Sequence, residues 1–318
     1  FNTKLYTGTG SSHAITGVGF QPDWVWIKVR SNSTYTHALY DAVRGVNKPL
    51  MSSANNGEGN DASGGNTSLN SFDSDGFTLG GFYNKVNQSG QTFASWNWKA
   101  SGSTASNSDG SITSTVSANT TAGFSIVKYT GNGVSGATVG HGLGAAPKIV
   151  LIKKTSSADS WSMLNTNINL NYYLKLEGSD AQVNDALFNN TAPSTTVFTI
   201  DSDGQVNGNT NEFIAYCFAE KTGYSKFGTY TGNSSTDGPF IYTGFKPAFI
   251  MLKKYSDTAN WMMYDNKREG YNVDNDHLKA NNSDQEGTSD DLDILSNGFK
   301  LRTSGSGENS GNFIYMAF

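Results

Sequence analysis

The chain has 318 residues, a net charge of −5, a charged fraction of 15%, 36 glycines and 12% aromatic residues. Ordinary soluble domains carry roughly a quarter of charged residues, so the polar surface must come from Ser, Thr, Asn and Gly, and the acidic balance excludes the basic footprint that nucleic acid requires. A single cysteine, Cys217, excludes an intrachain disulfide and cysteine-based zinc sites, and no apolar run reaches the eighteen or so residues of a membrane span.

Short β-branched and aromatic runs, separated by Gly, Asn, Asp and Ser clusters, predict strands joined by turns. In the first hundred residues they lie near 3–8, 13–20, 23–31, 37–43, 48–53, 68–73, 76–81 and 91–99. Residues 101–121 are a Ser/Thr/Gly-rich tract that reads as a linker or surface loop. The pattern then resumes twice. Tyr6-Thr7-Gly8 recurs as Tyr129-Thr130-Gly131 and Tyr230-Thr231-Gly232, and Val25-Trp26-Ile27-Lys28 as Val150-Leu151-Ile152-Lys153 and Ile250-Met251-Leu252-Lys253. Asp75-Gly76, Asp203-Gly204 and Asn297-Gly298 suit hairpin turns, and each repeat closes on an apolar run, at 93–98, 213–218 and 313–318. Internal repetition of this kind predicts an all-β chain of three tandem β-sandwich modules, jelly-roll or lectin-like, at 1–100, 122–223 and 224–318. The closing runs are apolar on both faces in the second and third repeats, which places them centrally in their sheets, with Trp96, Tyr216 and Met316 equivalent.

Repetition also supplies a control on chemistry, because a catalytic residue can be compared with its counterparts. Cys217 falls where the other repeats have Asn97 and Ala317, and reads as a small buried thiol. The four histidines occupy non-corresponding positions and have no metal-binding spacing. Nothing specifies a Ser/His/Asp triad, and glutamates are too few and too scattered for a carboxylate pair. Lys28, Lys153 and Lys253 precede Asp41, Asn165 and Asp265 by 13, 12 and 12 residues, which reads as a cross-strand pair. Asp73-Ser74-Asp75-Gly76 and Asp201-Ser202-Asp203-Gly204 read as turns, while a weak calcium site remains open at Asp274 and Asp276. For ligand binding the candidates are Trp161 and Trp261, which follow polar loops and are expected to reach the surface as stacking faces for sugars.

Gly19-Phe20-Gln21-Pro22-Asp23, Ser71-Phe72-Asp73-Ser74-Asp75-Gly76-Phe77, Trp96-Asn97-Trp98-Lys99-Ala100 and Gly223-Tyr224-Ser225-Lys226-Phe227-Gly228 resemble, as a set, an uncharacterised domain family found in marine bacteriophage structural proteins. The resemblance covers the whole chain. It implies a virion-surface component without catalytic residues, such as a tail fibre or adhesion protein that contacts other virion proteins and a host cell-surface glycan or protein. A capsid decoration or head-fibre protein is the alternative, and a carbohydrate-active enzyme the third reading. No cofactor is expected, nor any membrane insertion. The apolar end at Phe318 predicts cover from another module or subunit, and hence a homo-oligomer, with a trimer the favoured state. The start at Phe1, without Met, suggests a fragment or a processed chain.

Overall fold

Strands dominate the computed structural model, which describes residues 1–60, 67–81, 83–268, 276–289 and 291–318. In the first repeat these are β1 (Asn2–Thr7), β2 (His13–Thr16), β3 (Trp24–Val29), β4 (Ala38–Asp41), β5 (Leu69–Asp73), β6 (Gly76–Leu79) and β7 (Thr92–Trp98), with a single helical turn, α1 (Asn84–Asn87), before the last. Next come β8 (Ala105–Asn107), β9 (Ser114–Asn119), β10 (Phe124–Thr130), β11 (Ala137–Gly140), β12 (Ile149–Lys154), β13 (Trp161–Asn165), β14 (Tyr172–Lys175), β15 (Val183–Asn184), β16 (Val197–Ile200), α2 (Gly204–Asn207) and β17 (Glu212–Phe218). The third repeat holds β18 (Lys226–Asn233), β19 (Phe240–Tyr242), β20 (Phe249–Lys254), β21 (Trp261–Asp265), β22 (Leu278–Lys279), β23 (Leu292–Leu295), β24 (Gly298–Leu301) and β25 (Ser310–Ala317). Among the described residues no helix is long and apolar enough to cross a membrane.

One antiparallel strand order recurs in all three repeats: β1-β7-β3-β4, β10-β17-β12-β13 and β18-β25-β20-β21. The closing strand is therefore central each time, and its register is the same. Trp96 pairs with Trp26, Tyr216 with Leu151 and Met316 with Met251. A smaller sheet lies over each larger one, in the orders β2-β6-β5, β11-β16 and β19-β24-β23.

Each larger sheet is buried on both faces, which explains its runs of consecutive apolar residues. In the first repeat Val25, Ile27 and Phe93 face the small sheet and join Ile15, Phe77 and Leu79 in a local core. The alternate residues Trp24, Trp26, Trp96 and Trp98 point the other way. There they meet Leu151, Trp161, Tyr216 and Phe218 of the second repeat and Phe249, Met251, Trp261, Met316 and Phe318 of the third, in one cluster shared by all three. Trp24 stacks on Tyr216 with centroids 4.4 Å apart, and the Phe318 ring lies 5.7 Å from both Trp98 and Phe218. The cover expected for Phe318 thus comes from within the chain. The void left between these rings is only about 10 Å³ and lined by apolar side chains, so the centre is packed and dry.

The Tyr-Thr-Gly landmark has a physical cause. Tyr6, Tyr129 and Tyr230 stack on Phe93, Phe213 and Phe313, with centroids 5.0, 5.2 and 4.9 Å apart. Their hydroxyls donate to the carbonyls of Val86, Val206 and Glu308. Two residues after the tyrosine the backbone passes so close to this turn that a Cβ on Gly8 would sit 2.2 Å from Gln88 O, and one on Gly131 2.4 Å from Gly208 O. Only glycine fits there. The turn is held by Asn87, Asn207 or Asn309, whose side-chain oxygens accept from Thr9, Asn132 or Asn233 N–H.

Three sequence expectations are corrected. The tract 101–121 is not a loose linker, since β8 and β9 extend the sheet of the second repeat and Ser114 Oγ donates to Gly140 O on β11. Asp203-Gly204 makes no hairpin, unlike Asp75-Gly76 and Asn297-Gly298. The Asp203 carboxylate caps α2 by accepting from Gln205 N–H. Segment 48–53 forms no full strand, and only Leu50 bridges to Leu39.

Because Trp96 is fully buried at the meeting of the three repeats, Trp96→Ala is expected to cost about 3–5 kcal/mol. Equilibrium denaturation checks this, and a loss below about 1 kcal/mol would show that the central core does not carry the fold.

Candidate functional site

The two tryptophans singled out from the sequence lie where the repeats join. Trp161 and Trp261 were expected at the surface, but both are fully buried. Their indole N–H groups cross to another repeat, Trp161 donating to Met51 O and Trp261 to Lys175 O, each at 2.9 Å. The first repeat completes the ring with His37, whose Nε2 lies 3.0 Å from Lys279 O. An indole needs one acceptor when buried, and the neighbouring backbone supplies it. The same cyclic order appears in the main chain, where the N–H groups of Glu58, Gln182 and Glu286 donate to the carbonyls of Thr155, Tyr255 and Arg30.

Lys28, Lys153 and Lys253 are buried, and they do not form the expected pair with Asp41, Asn165 and Asp265. In the hairpin register Lys153 faces Trp161 while Asn165 faces Ile149, at the other end. The ammonium groups bind carbonyls instead. Lys153 Nζ donates to Asn55 O, Lys154 O and Asp159 O, Lys253 Nζ to Ser179 O and Ala259 O, and Lys28 Nζ to Val29 O and Asn32 O. Asn55 and Ser179 belong to the preceding repeat, so two of these lysines clasp the joints. Burial pulls all three from 10.5 down to about 8.

Asp41 and Asp265 form buried ion pairs with Arg44 and Arg268, three residues on. Each carboxylate also accepts from the closing strand of another repeat, Asp41 Oδ2 from Tyr216 Oη at 2.7 Å and Asp265 Oδ2 from Trp96 Nε1 at 2.9 Å. Glu58 and Glu286 bind the outer side of the same guanidinium groups. In the second repeat Asn165 and Ile168 stand at the two positions, and Met316, the counterpart of Trp96 and Tyr216, carries no donor. The repeated Asp-x-x-Arg spacing was a readable signal for this network, but spacing alone does not say that both ends are buried.

Cys217 is buried and its thiol pushed up to about 12 by desolvation, which leaves it protonated and inert. The turn carboxylates serve the backbone. Asp75 accepts from the N–H groups of Gly17 and Gly19, and Asp73 from Thr78 Oγ1. Of the calcium candidates, Asp274 lies outside the described residues. Asp276 is nearly buried, with Oδ2 3.8 Å from Arg30 Nη2, and Arg30 also holds Glu286. Among the described residues no three His, Cys, Asp or Glu side chains are placed to hold a metal ion. Ser289, His277 and Asp291 do meet, but Ser289 Oγ and Asp291 Oδ2 both approach the same ring nitrogen, Nδ1, at 3.1 and 2.9 Å. A nucleophilic triad needs the serine and the carboxylate on opposite nitrogens. Sequence reading also passed over Phe240 and Tyr242, which are exposed on the edge strand β19. Alternation along a short strand does not reveal which strand is left uncovered.

The fold and these joints define an all-β protein of several sheets whose polar interior is spent on holding repeats together. The chain belongs to the family described as Domain of unknown function (DUF7483), which matches residues 1–318. No curated protein and no solved structure matches it.

His37 Nδ1 accepts from Trp26 Nε1 at 2.7 Å, so the ring is neutral with its proton on Nε2, and burial holds its pKa well below 6.5. Below about pH 6.5 the unfolded chain takes up a proton that the native ring refuses, so stability falls with pH. Thermal unfolding between about pH 5 and 7 is expected to show this slope, and His37→Gln, with one acceptor and one donor but no titration, to flatten it. An unchanged slope would remove His37 as its source.

At alkaline pH the lysines act in the opposite range. Between about 8 and 10.5 the unfolded chain keeps protons that the native lysines have released, so unfolding takes up protons and stability rises. Above about pH 10, tyrosines such as Tyr129, Tyr216 and Tyr264, held protonated by burial, reverse the sign. A denaturation midpoint that declines steadily from about pH 7.5 to 9.5 would contradict the buried-lysine account.

Proposed function

We propose that this chain is a non-catalytic structural protein of a bacteriophage particle, displayed on the virion surface as a tail-fibre or host-adhesion component. Its three repeats are β-sandwich modules of the jelly-roll or lectin-like kind, fused into one rigid body. The observation that carries this reading is the use made of the side chains best suited to chemistry. The buried lysines bind carbonyls, Asp41 and Asp265 are locked between arginine and a neighbouring repeat, and Cys217 is a protonated core thiol. A body organised this way resists shear and protease, and it presents its outer strands and loops for contact. The resemblance to marine phage structural proteins supplies the setting. Assembly into a homo-oligomer would then use those outer surfaces, because the closing strand at Phe318 is already covered.

The test is incubation of the purified chain with bacterial cells and with a panel of immobilised bacterial lipopolysaccharides and capsular polysaccharides. Retention on cells or polysaccharide without release of reducing sugar is expected. Release of reducing ends would make the chain an enzyme. Binding confined to virions would make it a capsid decoration or head-fibre protein.

A further inference from the structure

The three repeats can be compared strand by strand on their outer faces as well as in their cores. On the edge strands β2, β11 and β19, Ile15, Val139 and Ile241 point inward and pair with Phe77, Phe198 and Phe299. The outward residues on either side are Ala14 and Thr16 in the first repeat, Thr138 and Gly140 in the second, and Phe240 and Tyr242 in the third. In the second repeat small residues are required, because the 101–121 tract lies against the strand. A Cβ on Gly140 would sit 1.7 Å from Asn107 Oδ1. Among the described residues nothing lies over β19 in this way, yet it carries the two largest outward side chains. Phe240 is 45% exposed and Tyr242 62%. Fold stability gives no reason for aromatic rings in water at positions where the sister repeats do with alanine, threonine and glycine.

Tyr242 also borders an open cleft of about 420 Å³ between the turn that joins the second and third repeats and the end of β19. Glu220, Thr222 and Lys226 line its other side. Lys226 Nζ lies 2.5 Å from Glu220 Oε1, and both side chains remain partly exposed where they line the cleft. The floor turns through Gly223 and Gly244, at φ of +77° and +85°. A side chain on Gly244 would be strained at that φ, and its Cβ would lie 3.6 Å from the tyrosine hydroxyl.

We propose that this cleft is a carbohydrate-binding subsite, with Tyr242 as the platform and the Glu220–Lys226 pair as the polar wall; it rests on the adhesive reading above and names its ligand class. A pyranose ring has an apolar C–H face and a rim of hydroxyls. The tyrosine ring suits the first, and an adjacent acceptor and donor suit a pair of neighbouring hydroxyls. The carboxylate and ammonium neutralise each other, so the class is a neutral saccharide rather than a phosphorylated or sulfated one. Phe240, two residues earlier on the same face, extends the platform toward a second sugar unit.

The test uses the full chain on an array of immobilised neutral oligosaccharides, with sulfated and sialylated glycans beside them, together with binding to whole bacterial cells. Binding to neutral oligosaccharides is expected, weakened about tenfold or more by Tyr242→Ala and largely retained in Tyr242→Phe. The thermal midpoint of Tyr242→Ala is expected to match the parent, since the side chain lies outside the core. Neutral-glycan binding that survives Tyr242→Ala overturns the subsite and leaves the adhesive reading standing. So does attachment to cells with no retention of any neutral glycan. Failure to bind both cells and glycans removes the adhesive reading together with the subsite.

Discussion

Everything in this molecule depends on three sheets burying their second faces against one another. A sheet covered on one side only alternates apolar and polar residues. These cannot, because one face packs on its own small sheet and the other on the shared centre of Trp24, Trp98, Tyr216, Phe249 and Phe318. The central strands β17 and β25 therefore read as apolar runs, while β7 is interrupted by the buried Ser95 and Asn97; the repeats lose a large shared apolar cluster if separated. A chain of about a hundred residues per repeat has a modest core by itself. The shared cluster supplies what each lacks, and it ties the stability of every repeat to the other two.

The polar joints follow from that burial. Wherever strands end inside the assembly, unpaired carbonyls must find donors, and long side chains reach across to provide them. Lys153, Lys253, Trp161, Trp261 and His37 all do so, in the same cyclic order. The Asp41–Arg44 and Asp265–Arg268 pairs are more demanding, because a charge buried without its partner destabilises strongly. Each is completed by a hydroxyl or indole from a neighbouring closing strand, so the carboxylates gain their last donor only when the repeats are docked. The second repeat has Asn165 and Ile168 at these positions, with the Asn165 oxygen accepting from Asn167. A buried charged pair is therefore not required at every repeat.

For function, the consequence is a separation between interior and surface. Lys28, Lys153, Lys253 and Cys217 lie inside the molecule. The outer edge of the third repeat presents Phe240 and Tyr242, with the Glu220–Lys226 pair across the cleft from Tyr242. Repetition makes this visible, because the same two positions in the sister repeats show what the fold alone requires. On the proposed adhesive reading, one repeat can vary its outer face while the shared core is kept.

The sequence by itself determined the strand class, the threefold repetition and the central place of the closing strands, because all three are written in local composition and period. The equivalence of Trp96, Tyr216 and Met316 was legible for the same reason. Tertiary structure decided where the tryptophans went. A polar loop before Trp161 or Trp261 signals a turn, and a turn is usually exposed, but here it abuts another repeat whose carbonyl takes the indole proton. It also decided that the lysines clasp carbonyls rather than pair with Asp41, Asn165 and Asp265, since side-chain partners depend on which end of a hairpin meets which neighbour. Residues 105–107 and 114–119 form strands that extend the sheet from β10, and no periodicity in Ser and Thr could announce that. The exposure of Phe240 and Tyr242 was hidden for the complementary reason. A strand's pattern shows which residues share a face, and only the packed molecule shows whether that face is covered.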